Sequence, residues 1–175
     1  MSKLGFIRPE IRYLLYLIVF WVVLLAAATL FFASWDSRQT NPNQQLVSHT
    51  RGSTTEIKLQ ANRHGHYLAN GTINNQNVTF ILDTGATTVS VSEAIAQKAG
   101  LTRGLPGLAR TAAGTVKVWS TTIHELRLGD FTFTNVPATI NPAMDPDLVL
   151  LGMSVLGRLN FSQQSGVLTL SQETR

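Results

Sequence analysis

The sequence predicts an all-β domain that contains one or two short helices and follows a single transmembrane helix. After residue 55 the apolar residues alternate over short runs, and these runs are broken by Gly, Asn, Asp and Pro. That pattern is typical of strands joined by tight turns. Before residue 34 a long uncharged run is instead typical of a membrane-spanning helix. The chain has 175 residues, which leaves room for one globular domain of about 110 to 125 residues and excludes two large lobes.

Composition excludes several classes of protein. The chain has no cysteine, which rules out disulfide scaffolds, thiol catalysis and cysteine-bound zinc. The formal net charge is +4, but the basic residues are dispersed instead of clustering with aromatic side chains, so no nucleic-acid partner is expected. No metal site is expected either. His64 and His66 lack a third ligand nearby. A zinc-protease helix beginning at His124 would need a second histidine at position 128, but this chain has Leu128 there.

The apolar run over residues 13–33 carries no charged residue and is rich in Leu, Val, Phe and Ala. At about 1.5 Å per residue, a helix of this length crosses a hydrocarbon core of about 30 Å. Three basic residues precede the run, and the first charge after it is acidic. The positive-inside rule therefore predicts a cytoplasmic N-terminus over residues 1–12 and places the domain outside the cytoplasm.

A cleaved signal peptide is the competing interpretation of this run, since Ala26-Ala27-Ala28 resembles a cleavage site. The run is longer than the usual h-region of roughly 7–15 residues and continues to Phe32, which favours a retained anchor. Residues 34–54 are polar and show almost no apolar periodicity, so they are predicted to be a linker. The folded domain is accordingly placed at residues 55–175.

Within the domain, turn residues between apolar runs predict four hairpins and two short helices. Ser92 is expected to cap the first helix, Gly100 to end it, and Ser154 to cap the second helix. The predicted hairpins join residues 66–73 to 78–82, 109–111 to 115–119, 121–128 to 131–136, and 161–164 to 167–171. The other predicted elements are strands over 87–91 and 149–151 and helices over 93–99 and 153–159.

The loop that follows the predicted strand 78–82 carries the clearest chemical signal. There, Asp83 is followed by Thr84, Gly85 and Ala86. Placing a carboxylate at the end of a buried strand costs free energy unless the next loop supplies hydrogen-bond donors. Such carboxylates usually have a functional role. Thr84 offers a hydroxyl and Gly85 an unobstructed backbone N–H, so we expect the carboxylate to be held ionised in one orientation.

Three other interpretations of Asp83 are open at this level. The residue could simply cap a turn through Thr84 or Gly85. It could be the nucleophile of an aspartyl-phosphate phosphatase, although such enzymes need a second Asp where this chain has Gly85. It could also belong to a sugar-kinase phosphate loop, although those loops occur in much larger, two-lobed chains.

Several of these features occur together in one known protein family. The Asp83 loop after an apolar strand, a later hairpin with a small glycine-containing tip, and Leu150-Leu151-Gly152 before a short helix together resemble the retropepsin-like aspartic proteases. The segment 151–159, with the N-terminal anchor, is similar to the bacterial single-domain, membrane-tethered members. The resemblance covers residues 66–170 and implies a single-lobe acid-protease β-barrel.

The resemblance also implies roles for individual residues. Asp83 would be the catalytic aspartate, and Thr84, Gly85 and Ala86 would form the active-site loop that holds it. The other implied elements are a flap over the substrate, with its tip at Ala112, Ala113 and Gly114, and a supporting strand behind the loop, formed by Leu150, Leu151 and Gly152.

Peptide hydrolysis of this kind needs two carboxylates, one as base toward water and one as acid toward the carbonyl oxygen. The chain has a single Asp-Thr-Gly, and Asp145 and Asp147 lie in a proline-flanked loop without the apolar lead-in. We therefore expect a homodimer with one Asp83 from each chain. The predicted protein is an endopeptidase of protein or peptide substrates, without metal or organic cofactor, anchored in a bacterial inner membrane with a periplasmic domain. The rival from another class is a non-catalytic peptide-binding module of the same fold.

Overall fold

The computed structural model describes residues 9–111 and 114–173, and the chain divides into two compact units at residue 38. Helix α1, Pro9–Thr40, contains the predicted apolar run and continues beyond it at both ends. From Ile11 to Thr40 it is long and apolar enough to cross a membrane, and its most apolar part is not buried. The chain therefore has an N-terminal helix with the properties of a membrane anchor or a signal sequence.

The second unit is built mostly of strands, which confirms the predicted all-β class. Short helices interrupt the strands at two places in the described residues. In chain order the elements are β1 (Ser48–Arg51), β2 (Thr54–Gln60), β3 (Leu68–Ile73), β4 (Gln76–Leu82), β5 (Val89–Val91), α2 (Glu93–Lys98), β6 (Pro106–Thr111), β7 (Gly114–Leu128), β8 (Phe131–Ile140), β9 (Leu148–Leu151), α3 (Met153–Leu156), β10 (Asn160–Gln164) and β11 (Val167–Glu173).

Six of the strands close into a barrel in the order β3-β4-β9-β5-β8-β7. Closure comes from the pairing of Thr72 with Arg127 and of Ile73 with Leu126, which joins β3 to β7. Strand β6 continues the sheet beyond the barrel by pairing with the first part of β7. A separate sheet has the order β1-β2-β11-β10. The predicted single-lobe barrel is thus confirmed.

One hydrophobic core connects the barrel to the four-stranded sheet. On the barrel side, Ile123, Leu126 and Leu128 of β7 are fully buried. On the other side, Ile57, Leu59 and Leu170 point into the same core and are also fully buried. Because both sheets bury their apolar face against each other, neither would be stable alone.

The turn between β3 and β4 is tighter than the sequence predicted. The expected loop covered residues 74–77, but β4 already begins at Gln76. The turn is made by Asn74 and Asn75 alone, with φ of 47° and 65°. Asparagine tolerates this left-handed conformation, which a two-residue hairpin turn requires at both positions, so β4 begins two residues earlier than predicted while β3 still ends at Ile73.

Strand β7 is a single strand, although the sequence predicted two strands over 115–119 and 121–128. No turn-forming residue separates these segments, and Ser120 continues the pairing by donating its N–H to the carbonyl of Leu105 and accepting from the N–H of Gly104. The predicted helix after Ser92 is confirmed, since the Ser92 hydroxyl accepts from the N–H of Ile95. Gly100 follows the helix with φ 66°.

The region predicted to be a polar linker, residues 34–54, has regular structure in part. Helix α1 extends to Thr40, and Ser48–Arg51 forms β1 against β2. Between them, the Asn43 side chain is only 6% exposed and joins this segment to the domain. Its Nδ2 donates to the carbonyls of Gln60 and Leu68 at 2.9 and 2.7 Å, and its Oδ1 accepts from the N–H of Gln60 at 2.7 Å. The sequence did not reveal this contact, because a polar segment looks the same whether its asparagines are buried in the fold or exposed to water.

We predict that Asn43→Ala lowers the free energy of unfolding by about 2 to 4 kcal/mol, because it removes the partner of the buried Leu68 carbonyl and of the part-buried N–H and carbonyl of Gln60. The matched control is Asn77→Ala at an exposed position of β4, which should change stability by less than about 0.5 kcal/mol. Urea unfolding of the full chain in detergent measures both. Equal effects would show that the Asn43 contacts do not hold this segment.

Candidate active site

Asp83 lies where two parallel strands of the barrel end. Strands β4 and β9 run side by side with Leu82 opposite Leu151, and the N–H of Asp83 donates to the carbonyl of Leu151 at 3.1 Å. The carboxylate itself is exposed, although the strand behind it includes the fully buried Phe80. A rigid, buried element thus presents an acidic group at the surface, which is the arrangement expected of a functional carboxylate.

The loop after Asp83 orients the carboxylate through its own backbone. The N–H of Gly85 donates to Asp83 Oδ1 at 2.8 Å, and the N–H of Ala86 donates to the Asp83 carbonyl at 3.2 Å. A Cβ at position 85 would lie only 3.1 Å from Oδ1, so glycine suits this close approach. The Thr84 hydroxyl, expected to be a second donor, is exposed and has no partner among the described residues. The orientation of the carboxylate therefore depends on Gly85.

Leu150, Leu151 and Gly152 lie behind this loop, where the resemblance placed the supporting strand. Leu150 and Leu151 end β9, and Gly152 follows as the N-cap of α3. A Cβ on Gly152 would collide with the backbone carbonyls of Ala86 and Thr88. The next residue, Met153, donates its N–H to the Ala86 carbonyl at 2.8 Å. Strand β9 and the active-site loop are therefore in direct backbone contact.

Ser154 has a different role from the helix cap predicted for it. No side chain caps α3. The Ser154 hydroxyl instead donates to the carbonyl of Pro137 and accepts from the N–H of Val89, both at 3.1 Å, and its own N–H donates to the carbonyl of Thr87. It thus ties α3 to β5 and β8. No local pattern in the chain signals this link, because it joins segments that are far apart in sequence.

Strands β6 and β7 form the hairpin to which the resemblance assigns the role of a flap. Gly114 has φ 115°, a Cβ at this position would meet no atom within 4 Å, and its carbonyl accepts from the Thr111 hydroxyl at 2.8 Å. Ala112 and Ala113 lie outside the described residues. Ala109 pairs with Val116, which shares a face with the buried Val118, so the side chains on this inner face are small or aliphatic.

A cavity of about 380 Å³ borders the aspartate loop. Asp83 is the only carboxylate among the described residues that line it. It is lined by Tyr67, Leu82, Asp83, Thr84, Leu156, Phe161, Gln163, Leu168 and Leu170. A second acid for a two-carboxylate reaction is therefore missing from this cavity.

Asp145 and Asp147 do not supply that acid. They precede β9, whose first residue Leu148 pairs with Thr79 in the middle of β4, three residues before Leu82. The three-residue rise from Leu148 to Leu151 places the start of β9 roughly 10 Å from the end that adjoins Asp83. Asp147 instead donates its N–H to Asp145 Oδ1 at 2.9 Å, within its own loop.

Comparisons with known proteins agree with this fold. Residues 69–158 match the model of the family described as "gag-polyprotein putative aspartyl protease". The chain belongs to this family of aspartic proteases. The crystal structure of a retropepsin-like aspartic protease from Rickettsia conorii superposes with a TM-score of 0.57 at 28% identity, covering 74% of this chain and 96% of that one. The resemblance seen in the sequence is thereby confirmed.

Two further proteins are similar to this chain over a smaller part of its length. EIAV protease complexed with the inhibitor HBY-793 has a TM-score of 0.43 and 19% identity over 51% of this chain and 84% of that one. An uncharacterized protein in the cobV 5' region of Sinorhizobium sp is 29% identical over 111 residues, which are 62% of this chain. The chain matches about half, 48%, of the length of that curated relative.

We predict that Gly152→Ala lowers the free energy of unfolding by about 1 to 3 kcal/mol, because its Cβ must displace the backbone of the active-site loop. Gly107→Ala is the matched control, since a Cβ there meets only a Val118 methyl at 4.0 Å. Thermal unfolding of both variants tests this packing. A Gly152→Ala chain as stable as the control would mean that β9 and the loop are not in close contact.

Proposed function

We propose that this protein is a membrane-anchored aspartic endopeptidase in which two chains each contribute Asp83 to one catalytic pair. The observation that carries the proposal is the exposed Asp83 carboxylate, oriented by the Gly85 N–H within a family match to aspartic proteases. The absence of another carboxylate from the described lining of its cavity supports a pair shared between two copies. A two-fold axis would then bring identical loops together.

In this mechanism the two carboxyl groups share one proton. The ionised group takes a proton from water as its oxygen attacks the scissile carbonyl carbon, and the protonated group donates to the carbonyl oxygen. The tetrahedral intermediate then collapses, and the C–N bond breaks as the amine nitrogen takes a proton from the pair. Gly85 would keep each carboxylate facing the water, and the β6–β7 hairpin would cover the peptide. Because catalysis needs the singly protonated pair, the rate should have a bell-shaped dependence on pH.

Helix α1 would hold both chains in one membrane. Its length and composition suit a single crossing, and the basic residues before its apolar run favour a cytoplasmic N-terminus. Anchoring would also raise the effective concentration of one chain near another. The natural location of the domain would then be the periplasmic side of a bacterial inner membrane.

We predict that Asp83→Asn abolishes peptide cleavage without unfolding the domain, since Asn keeps the shape of the side chain but cannot accept the proton of water. Asp147→Asn, far from the site, should remain active. Mixing wild-type and Asp83→Asn chains should reduce activity more than simple dilution, because every mixed dimer lacks half of the pair. A fall in strict proportion to the wild-type fraction, with subunit exchange shown separately, would mean that one chain works alone.

The proposed role of the β6–β7 hairpin over the substrate can be tested at Gly114. Gly114→Val should slow turnover by roughly tenfold or more while leaving the fold intact, because a β-branched residue resists positive φ and the position is otherwise open. Steady-state kinetics on a peptide library at pH 4 to 7 would measure this. Unchanged kinetics in a folded variant would argue that the hairpin does not cover the substrate.

The membrane orientation is tested with intact spheroplasts. Added protease should digest the domain, residues 55–175, because the positive-inside rule places it outside the cytoplasm. A cytoplasmic protein in the same cells should stay protected until lysis. Protection of this domain until lysis would show the reverse orientation.

A further inference from the structure

The β6 edge of the larger sheet carries exposed apolar side chains that the proposed chemistry does not use. Leu108 of β6 and Leu105, just before that strand, are 77% and 80% exposed. Strand β6 lies at the end of its sheet, with β7 as its neighbour. A single exposed leucine is common on protein surfaces, but two so close together on a free edge mark a surface available to a partner.

The register of the hairpin places Leu108 beside basic and aromatic residues. In an antiparallel pair, directly opposite residues lie on the same face of the sheet. Leu108 lies opposite Lys117, and Pro106 lies opposite Trp119. The opposite face of the hairpin carries the buried Val118. The outer face is formed by Pro106, Leu108, Arg110, Thr115, Lys117 and Trp119.

The charges near this outer face have one sign. From residue 94 to residue 124 the chain contains four Lys or Arg residues and no Asp or Glu. Arg110 and Lys117 are exposed, and neither forms an ion pair within the described part of the chain. These basic residues are dispersed along the sequence, but the hairpin brings two of them onto one face with Leu108. The outer face is therefore both cationic and apolar.

Trp119 on this face contacts two cations. The guanidinium carbon of Arg103 lies 4.1 Å from the centre of the indole ring, and the Lys117 ammonium lies 5.4 Å from it. Arg103 is itself fixed by Glu93, with Nη2 at 2.6 Å from Oε2. The indole is thus held half-buried among charged side chains. Tryptophan beside Lys and Arg is typical of surfaces that meet the headgroup region of a bilayer.

The chain between the apolar run and the domain is short. The run ends at residue 33, α1 continues to Thr40, and Asn43 is already bonded into the domain. At about 1.5 Å per residue, residues 34–40 span only about 10 Å of helix. A surface of the domain can therefore reach lipid headgroups without a long linker.

We propose that the outer face of the β6–β7 hairpin docks on the anionic lipid surface of the membrane that α1 crosses. Arg110 and Lys117 contact the lipid phosphates, Leu105 and Leu108 enter the boundary of the acyl chains, and Trp119 lies at the level of the headgroups. The opposite face of the hairpin stays free to cover a peptide. The inference rests on the proposed anchoring by α1 and is independent of the endopeptidase activity.

Fluorescence of Trp119 tests this docking. The full chain is made with Trp21→Phe and Trp35→Phe, which leaves Trp119 as its only tryptophan. It is reconstituted in vesicles of phosphatidylcholine, either alone or with about 30% phosphatidylglycerol, whose acyl chains carry bromine to quench nearby indoles. Relative to unbrominated vesicles, we expect a loss of about half or more of the emission with the anionic lipid and of less than about a tenth without it. Salt at about 0.5 M should remove most of the quenching, because it screens exposed charges.

Variants of the outer face test its residues. Arg110→Glu combined with Lys117→Glu should lower the docking equilibrium by about 25-fold or more, since each cation near an anionic surface contributes about fivefold. The matched control, Arg51→Glu with Lys58→Glu, reverses two exposed charges on the four-stranded sheet and should change docking by less than about twofold. Leu108→Ser should weaken docking by about tenfold. Urea unfolding checks that each variant is folded, and the salt dependence of the chain without these changes decides the question if one is not.

The outcomes separate docking from anchoring, which is measured by resistance of the chain to carbonate extraction from the same vesicles. An anchored chain whose Trp119 is not quenched would overturn the docking face and leave the anchor standing. Equal quenching in neutral and anionic vesicles, or an equal loss in the two double variants, would show that this face does not recognise lipid charge and would also overturn it.

A different occupant or a different anchor would also be visible. A change in Trp119 emission on adding polyglutamate, without quenching by lipid, would assign the outer face to an acidic polypeptide and overturn the proposal. Quenching that depends on anionic lipid, in a chain that carbonate extracts, would support the docking face and overturn the anchor. Because none of these measurements depends on peptide cleavage, failure of the endopeptidase would leave their results unchanged.

Discussion

The parallel pairing of β4 with β9 is the constraint on which the site depends. It ends at Leu82 and Leu151, and the next N–H along β4, that of Asp83, still bonds to β9. Beyond that point Gly152 allows the backbone of the active-site loop to approach where any side chain would collide. These contacts fix the backbone conformation of the loop, and in that conformation the Gly85 N–H donates to the Asp83 carboxylate. Closure of the barrel makes this geometry rigid.

Much of this arrangement could be predicted from the sequence. The alternation of apolar residues indicated the strands, the Asp-Thr-Gly after an apolar run indicated the aspartate loop, and the Leu-Leu-Gly segment pointed to the strand behind it. These features are local, so neighbouring residues carry their signal. The predicted cap at Ser92 was confirmed for the same reason, since a cap and its helix are adjacent in sequence.

Features that depend on distant contacts were missed. Ser154 looked like a helix cap but bonds to β5 and β8. The region expected to be a linker contains β1 and the buried Asn43, whose partners Gln60 and Leu68 lie 17 and 25 residues away. Thr84 was expected to hold the carboxylate but stays exposed. In each case the residue type allowed several roles, and only the tertiary arrangement selected one.

A single chain presents half of the proposed chemistry, since it has one oriented carboxylate beside a cavity whose described lining includes no second acid. The most direct test of this account is the specific activity of the purified full chain as it is diluted in excess detergent. If two chains build each site, activity should approach a second-order dependence on chain concentration below the dimer dissociation constant. A specific activity that stays constant on dilution, with chains shown to be monomeric by sedimentation, would contradict the account.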